Sequence, residues 1–190
     1  MSAALAFEQV SCLRGDRLLF EQLSFALGPG DAALVVGPNG IGKSSLLRIA
    51  AGLLPAIAGR VIRTGGVAWL GEQASLDPQL PLARALDYWA TIDGADRGAV
   101  ITALDALAIT PLAEVPVRML STGQRRRAGL ARVMLGSAAI WLLDEPGNGL
   151  DRATLDLLGK AIARHRDQGG IVLAATHQPL AMGNAAEIRL

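Results

Sequence analysis

Cysteine occurs once in the 190 residues, as Cys12, and histidine only twice, as His165 and His177. One thiol excludes an internal disulfide framework and a multi-cysteine metal site. Two imidazoles are too few for a zinc site built mainly from nitrogen and sulfur. Neither charge sign is in excess: 18 basic side chains face 17 acidic ones, for a net charge of +1. That balance argues against a dedicated nucleic-acid binder and leaves room only for a local basic patch. No uncharged apolar run approaches the ~18 to 20 residues that span a bilayer. The opening segment "MSAALAFEQV" lacks the basic, apolar and cleavage-site order of a secretory signal. No internal repeat and no low-complexity segment is present. The expectation is one soluble, intracellular domain over residues 1–190 that does not itself insert in a membrane but can sit against a membrane protein.

What is present is a strong alternation of strand and helix patterns. "LAFEQVSCL" and "LLFEQLSFAL" alternate apolar and polar residues like half-buried antiparallel strands. "AALVVG", from Ala32 to Gly37, is a short continuous apolar run, as in a strand buried on both faces. A glycine-rich loop follows, then a helix from about Lys43 to Gly52. "GGVAWLGEQ" holds a strand ending near Gly71, and Leu82 to Ala108 read as two helices broken at Asp93–Gly94. Ser121 opens a helix to about Leu135, "AIWLLDEP" is a buried strand, Arg152 to Asp167 a helix, and "IVLAAT" a last strand. The order predicts an α/β fold: an N-terminal antiparallel β part, a mostly parallel core sheet, and a helical insertion at roughly 75–135.

Three stretches carry chemistry. "GPNGIGKS", Gly37 to Ser44, matches GxxxxGK[ST] and has the required strand before it and helix after it. Its glycines let backbone N–H groups and the helix N-terminus wrap a phosphate, Lys43 adds charge for the terminal phosphates, and the Ser44 hydroxyl suits Mg²⁺. "WLLDEP" puts two carboxylates at the carboxyl end of an apolar strand, the end that faces the ligand crevice of a parallel sheet. Asp144 suits Mg²⁺, and Glu145 suits polarising an attacking water. His177 ends "IVLAAT"; on a neighbouring strand it would reach the terminal phosphate or hold that water. Gln73 offers an amide oxygen to Mg²⁺ or water, with a solvent-facing loop glutamine as the plain alternative. "LSTGQRRR", residues 120–127, contains an S-x-x-Q capping box, Ser121 with Gln124. The same helix start offers free N–H groups and a positive dipole end, and Gly123 would let an anion approach. Arg125 to Arg127 are open between a solvated or partner-facing surface and phosphate contact.

"GPNGIGKS", Gln73, "LSTGQ", "WLLDEP", "NGLD" and His177, in this order, resemble the nucleotide-binding subunits of ABC transporters over nearly the whole chain. "PVRMLSTGQRRRAGLARVML" and "GGIVLAATHQPL" narrow the likeness to the ATP-binding subunits of haem exporters of cytochrome c maturation. The resemblance implies the P-loop NTPase fold of ABC type and hydrolysis of ATP with Mg²⁺. The loop Gly37, Pro38, Asn39, Gly40, Ile41, Gly42, Lys43, Ser44 and Ser45 would bind nucleotide, with Ser44, Gln73 and Asp144 toward the metal. Two subunits would pair head-to-tail, with Ser121, Thr122, Gly123 and Gln124 on the partner's ATP and Asp151 in the seam. Integral membrane subunits would be the partners, at the cytoplasmic face of the inner membrane. Three positions depart from the family pattern. Arg14 stands where an adenine-stacking aromatic is usual, Thr122 replaces a glycine, and "GNGLD" replaces the commoner serine-alanine sequence. A subunit of another ABC transporter shares every one of these residues; a soluble ABC ATPase or a phosphate-loop kinase would leave the short chain or "LSTGQ" without explanation.

Overall fold

The computed structural model describes residues 3–96 and 98–190. Strands β1 (Ala4–Arg14) and β2 (Arg17–Leu27) form the expected hairpin, and β4 (Ala58–Thr64) joins the other edge of β1 in an antiparallel sheet of order β2-β1-β4. A second sheet holds β3 (Ala32–Val36), β5 (Val67–Leu70), β6 (Ile140–Asp144), β7 (Ile171–Ala175) and β8 (Ala186–Arg189). Its order is β5-β6-β7-β3-β8 and every pairing in it is parallel.

The central strands are buried on both faces, and alternation sends successive residues to different cores. Ile140, Leu142, Ile171, Leu173, Ala33 and Val35 face the antiparallel sheet, where they pack with Leu5, Phe7 and Val10. Helix α1 (Lys43–Ala51) fills that layer with Leu46, Leu47 and Ile49. Full burial of each such side chain contributes roughly 1.5–3 kcal/mol. Trp141, Leu143, Val172 and Ala174 point the other way, into the core shared with α2 (Leu82–Ile92), α3 (Ala99–Ala106), α4 (Thr122–Met134) and α5 (Arg152–Asp167). Between α3 and α4 the proline-flanked connection forms two 3₁₀ turns, at Thr110–Leu112 and Val117–Met119.

Strands β4 and β8 have no counterpart in the sequence reading. Both are largely exposed, and neither shows a long apolar run or a clean alternation. A bulge runs through the antiparallel sheet: Gln9 and Gln22 adopt positive φ (51° and 52°), and the β1–β4 register shifts between Glu8 and Ser11. Gly59 is required at this step, because its φ is +78° and a Cβ there would collide with the Gln9 carbonyl.

Candidate functional site

The carboxyl ends of β3, β5, β6 and β7 meet at one rim of the parallel sheet, the place where such sheets bind ligands. The loop after β3 is exposed from Gly37 to Gly40 and turns through positive φ at Gly37, Gly40 and Gly42. Gly42 is a tight position for a side chain, since its φ is +127° and a Cβ would lie 3.1 Å from Leu19 and 3.3 Å from the Phe20 ring. It precedes α1 with no side-chain cap, so the first amides of that helix are left to other acceptors. Lys43 is 7% exposed and folds back along the loop, its Nζ donating to the carbonyls of Gly37 (2.7 Å) and Pro38 (3.1 Å).

The two carboxylates sit beside this loop. Parallel pairing of β3 with β7 and of β7 with β6 brings Ser44 and Asp144, 100 residues apart, into a 3.1 Å hydrogen bond from Ser44 Oγ to Asp144 Oδ1. Burial raises the Asp144 carboxyl above its ordinary pKa, and the Ser44 bond offsets part of that rise. The Asp144↔Ala175 register places β7 next to β6, so His177, two residues beyond β7, meets Glu145. His177 Nδ1 lies 3.0 Å from Glu145 Oε2. The approach does not complete a hydrogen bond, and this buried oxygen has no other protein partner among the described residues. A lone pair is thereby left for a small polar molecule such as water.

Glu145 itself is in the left-handed region, φ 47°. For a non-glycine residue that costs on the order of 1–3 kcal/mol and persists only where neighbours hold it. Here its N–H donates to Ala175 O at 2.7 Å. Its carbonyl accepts from the Asn148 N–H at 3.1 Å and from Arg126 Nη2 at 2.6 Å.

A cavity of about 370 Å³ opens between this rim and the start of α4, lined by Ser44, Arg48, Glu72, Thr122, Arg126 and Glu145 among others. Gln73 lies in the loop after β5 with its side chain exposed; its neighbour Glu72, not Gln73, lines the cavity. At the start of α4 both halves of the capping box are made: Gln124 N–H donates to Ser121 Oγ (3.3 Å) and Ser121 N–H to Gln124 Oε1 (2.9 Å). Ser121 and Thr122 remain exposed. The space at Gly123 is taken by this chain's own Gly149 carbonyl, 2.7 Å from where a Cβ would stand. Asp151 caps α5 by accepting the Thr154 N–H at 2.8 Å, which holds its carboxyl below the ordinary pKa. Arg14 is exposed at the β1–β2 turn, paired in register with Arg17, and the neighbouring leucines Leu13 and Leu18 are exposed as well.

Arg126, open in the sequence between surface and phosphate contact, is turned inward and lines the rim cavity. Its guanidinium is part-buried and donates to the carbonyls of Gly71, Asp144 and Glu145. Arg132, also buried enough that desolvation lowers its pKa, ties the Trp69 and Ala74 carbonyls and lies 4.8 Å over the Trp89 ring. Arg48 is a further rim residue the sequence reading passed over. It stands four positions after Ser44 on α1, so helical spacing alone puts both on one face.

The donor set fits a hard cation. Ser44 Oγ and Asp144 Oδ1 are adjacent oxygens, and among the described residues no group of three or more His, Cys, Asp or Glu could hold a metal by itself. An ion that keeps water and shares phosphate oxygens suits such a pair, as magnesium does.

The ABC transporter family pattern matches residues 20–148. The chain is 56% identical to the cytochrome c biogenesis ATP-binding export protein CcmA of Sphingopyxis alaskensis, over 99% of this chain and 97% of that protein. It is 52% identical to the protein of the same name from Zymomonas mobilis, over 100% of this chain and 85% of the relative. In fold it matches an ABC transporter ATP-binding protein from Pyrococcus furiosus with a TM-score of 0.86 at 24% identity, covering 98% and 97% of the two chains. Phosphate loop, acidic strand end and capped "LSTGQ" helix stand in one rim because the chain belongs to the ABC transporter family, as one of its ATP-binding, ATP-hydrolysing subunits.

Proposed function

We propose that this chain is the ATPase subunit of a membrane export complex of cytochrome c biogenesis, of the haem-exporter kind. The observation that carries the chemistry is the line Ser44–Asp144–Glu145–His177 along the rim beside the phosphate loop. The relatives' printed role in cytochrome c biogenesis export, at 56% and 52% identity, supports the assignment of process.

ATP would lie with its phosphates in the loop from Gly37 to Ser45. Lys43 would exchange the Gly37 and Pro38 carbonyls for phosphate oxygens, a low-cost change because the ammonium already points along the loop. Ser44 and Asp144, with water and with Gln73 as a further ligand or water contact, would hold Mg²⁺, which when bound would supply positive charge against the phosphate oxygens. Glu145 accepts the hydrogen bond of the attacking water, and His177 orients that carboxylate. The water oxygen bonds to the γ-phosphorus as the bond to the β–γ bridging oxygen breaks, giving ADP and inorganic phosphate, with the water proton taken up at Glu145.

Two copies pair head-to-tail, each offering Ser121, Thr122 and Gly123 with the helix-start dipole of α4 to the other's γ-phosphate. Asp151 lies in the seam, and the helical insertion at roughly 75–135 receives the membrane subunits. No helix of the described residues is long and apolar enough to cross a membrane, which suits a peripheral subunit at the cytoplasmic face of the inner membrane. The near-neutral charge gives no reason to add nucleic acid to the partners.

Pull-down of the full chain from detergent-solubilised membranes tests the assignment. Integral exporter subunits should co-purify and raise MgATP turnover. Recovery of an importer permease instead would contradict the process while leaving the ATPase reading in place.

A further inference from the structure

Arg126 is a part-buried cation whose hydrogen bonds all end on the carbonyls of the acidic side of the site rim. It enters from α4, five positions after the capping Ser121, and its fork spans the carbonyls that close β5 and β6: Gly71, Asp144 and Glu145. Arg125, which also lines the cavity, donates instead to the carbonyls of Arg118 and Leu120, and Arg127 to that of Ala108, so neither bonds to the strand ends. Burying a guanidinium among carbonyls is costly, and here Nε is buried with no hydrogen bond at all. A residue needed only to glue α4 to the sheet would be replaced by an apolar side chain without that cost. What an apolar side chain cannot do is bind the Glu145 carbonyl.

Glu145 is where such a bond has an effect. Its positive φ aims its carboxylate at His177, and the peptide on either side must be held for that conformation to last. Ala175 holds the N–H, while Arg126 and Asn148 hold the carbonyl. We infer that Arg126 is the positioning residue for Glu145 and that its fork mechanically joins the helix bearing Ser121–Gly123 to the water-activating carboxylate of the same chain. The inference rests on the proposed roles of Glu145 and of the α4 helix start. The α4 helix is rigid over one turn, so movement of Ser121 on a neighbour's nucleotide is felt at Arg126. It must then draw the Glu145 carbonyl along or break the fork. One chain's engagement of its partner's ATP thereby sets the geometry of its own hydrolytic site.

A double-mutant cycle on the full chain with MgATP tests this, using Arg126→Lys, Glu145→Gln and the pair. Lysine keeps the charge but cannot bridge three carbonyls. Arg126→Lys should lower kcat at least about tenfold, the loss expected for charged hydrogen bonds to a catalytic group, with KM for ATP unchanged. The pair should turn over no more slowly than Glu145→Gln alone, because Arg126 acts through Glu145. Hydrogen exchange over 145–149 should quicken in Arg126→Lys while the melting temperature holds. Wild-type kcat in Arg126→Lys, or losses that multiply in the pair, would overturn the inference. If Arg126→Lys does not fold, Arg126→Gln takes its place in the same cycle. Wild-type turnover by Glu145→Gln alone would overturn the underlying role of Glu145, and is read separately.

Discussion

At the rim, burial works against the charged form of the Asp144 carboxyl. Its pKa is raised chiefly by desolvation, so the folded chain binds a proton there more readily than the unfolded one. Stability linked to this group is therefore greatest below the unfolded carboxyl pKa and falls as pH rises through the folded value. Asp144→Asn, which retains an acceptor for Ser44, should melt higher than wild type at pH 7, with the gain vanishing in acid; each kcal/mol corresponds to about 2–4 °C for a domain of this size. Thermal melts at pH 4 and pH 7 read this out, and a lower melting temperature at pH 7 would contradict it. Hydrolysis should be lost in the same variant. The adjacency of Glu145 and His177 was legible in the sequence because parallel strands of equal length end at the same level. Arg126 was not. Three identical residues in a row face three directions on a helix, about 100° apart, and only packing tells which one turns inward.

At the scale of elements, the capped start of α4 was readable from its S-x-x-Q pattern and shows the capping box in full, whereas the Asp151 cap of α5 emerged only in the structure. Removing the cap with Ser121→Ala should cost roughly 0.5–2 kcal/mol, measured by denaturant unfolding. Gly123 had a reason the sequence did not show: the α4 start packs on the "GNGL" turn of the same chain. Gly123→Ala drives a methyl against the Gly149 backbone carbonyl, which cannot swing aside as a flexible side chain would. It should destabilise by about 1–3 kcal/mol and lower turnover by displacing the turn after Glu145. Unaltered unfolding would show that the two segments part freely. Strands β4 and β8 escaped the sequence reading because edge strands bury too few side chains to leave a periodic signal.

At the scale of the whole molecule, two cores back the parallel sheet, one against the antiparallel sheet and α1, the other against α2 to α5. That arrangement leaves the nucleotide loop and the "LSTGQ" helix start on exposed surfaces of one chain, each suited to half of an ATP site. The proposed head-to-tail pairing rests on family resemblance, since no residue pattern within one chain specifies a seam between two. Ser121→Arg should block closure of the pair while leaving ATP binding to the single chain intact. The central claim is tested most directly by the mass of Glu145→Gln in solution, followed by light scattering with and without MgATP. The account predicts a monomer without nucleotide and a lasting dimer with it, formed by a variant that retains only residual ATP hydrolysis. A variant that stays monomeric at saturating MgATP and hydrolyses it at the wild-type rate would contradict the account.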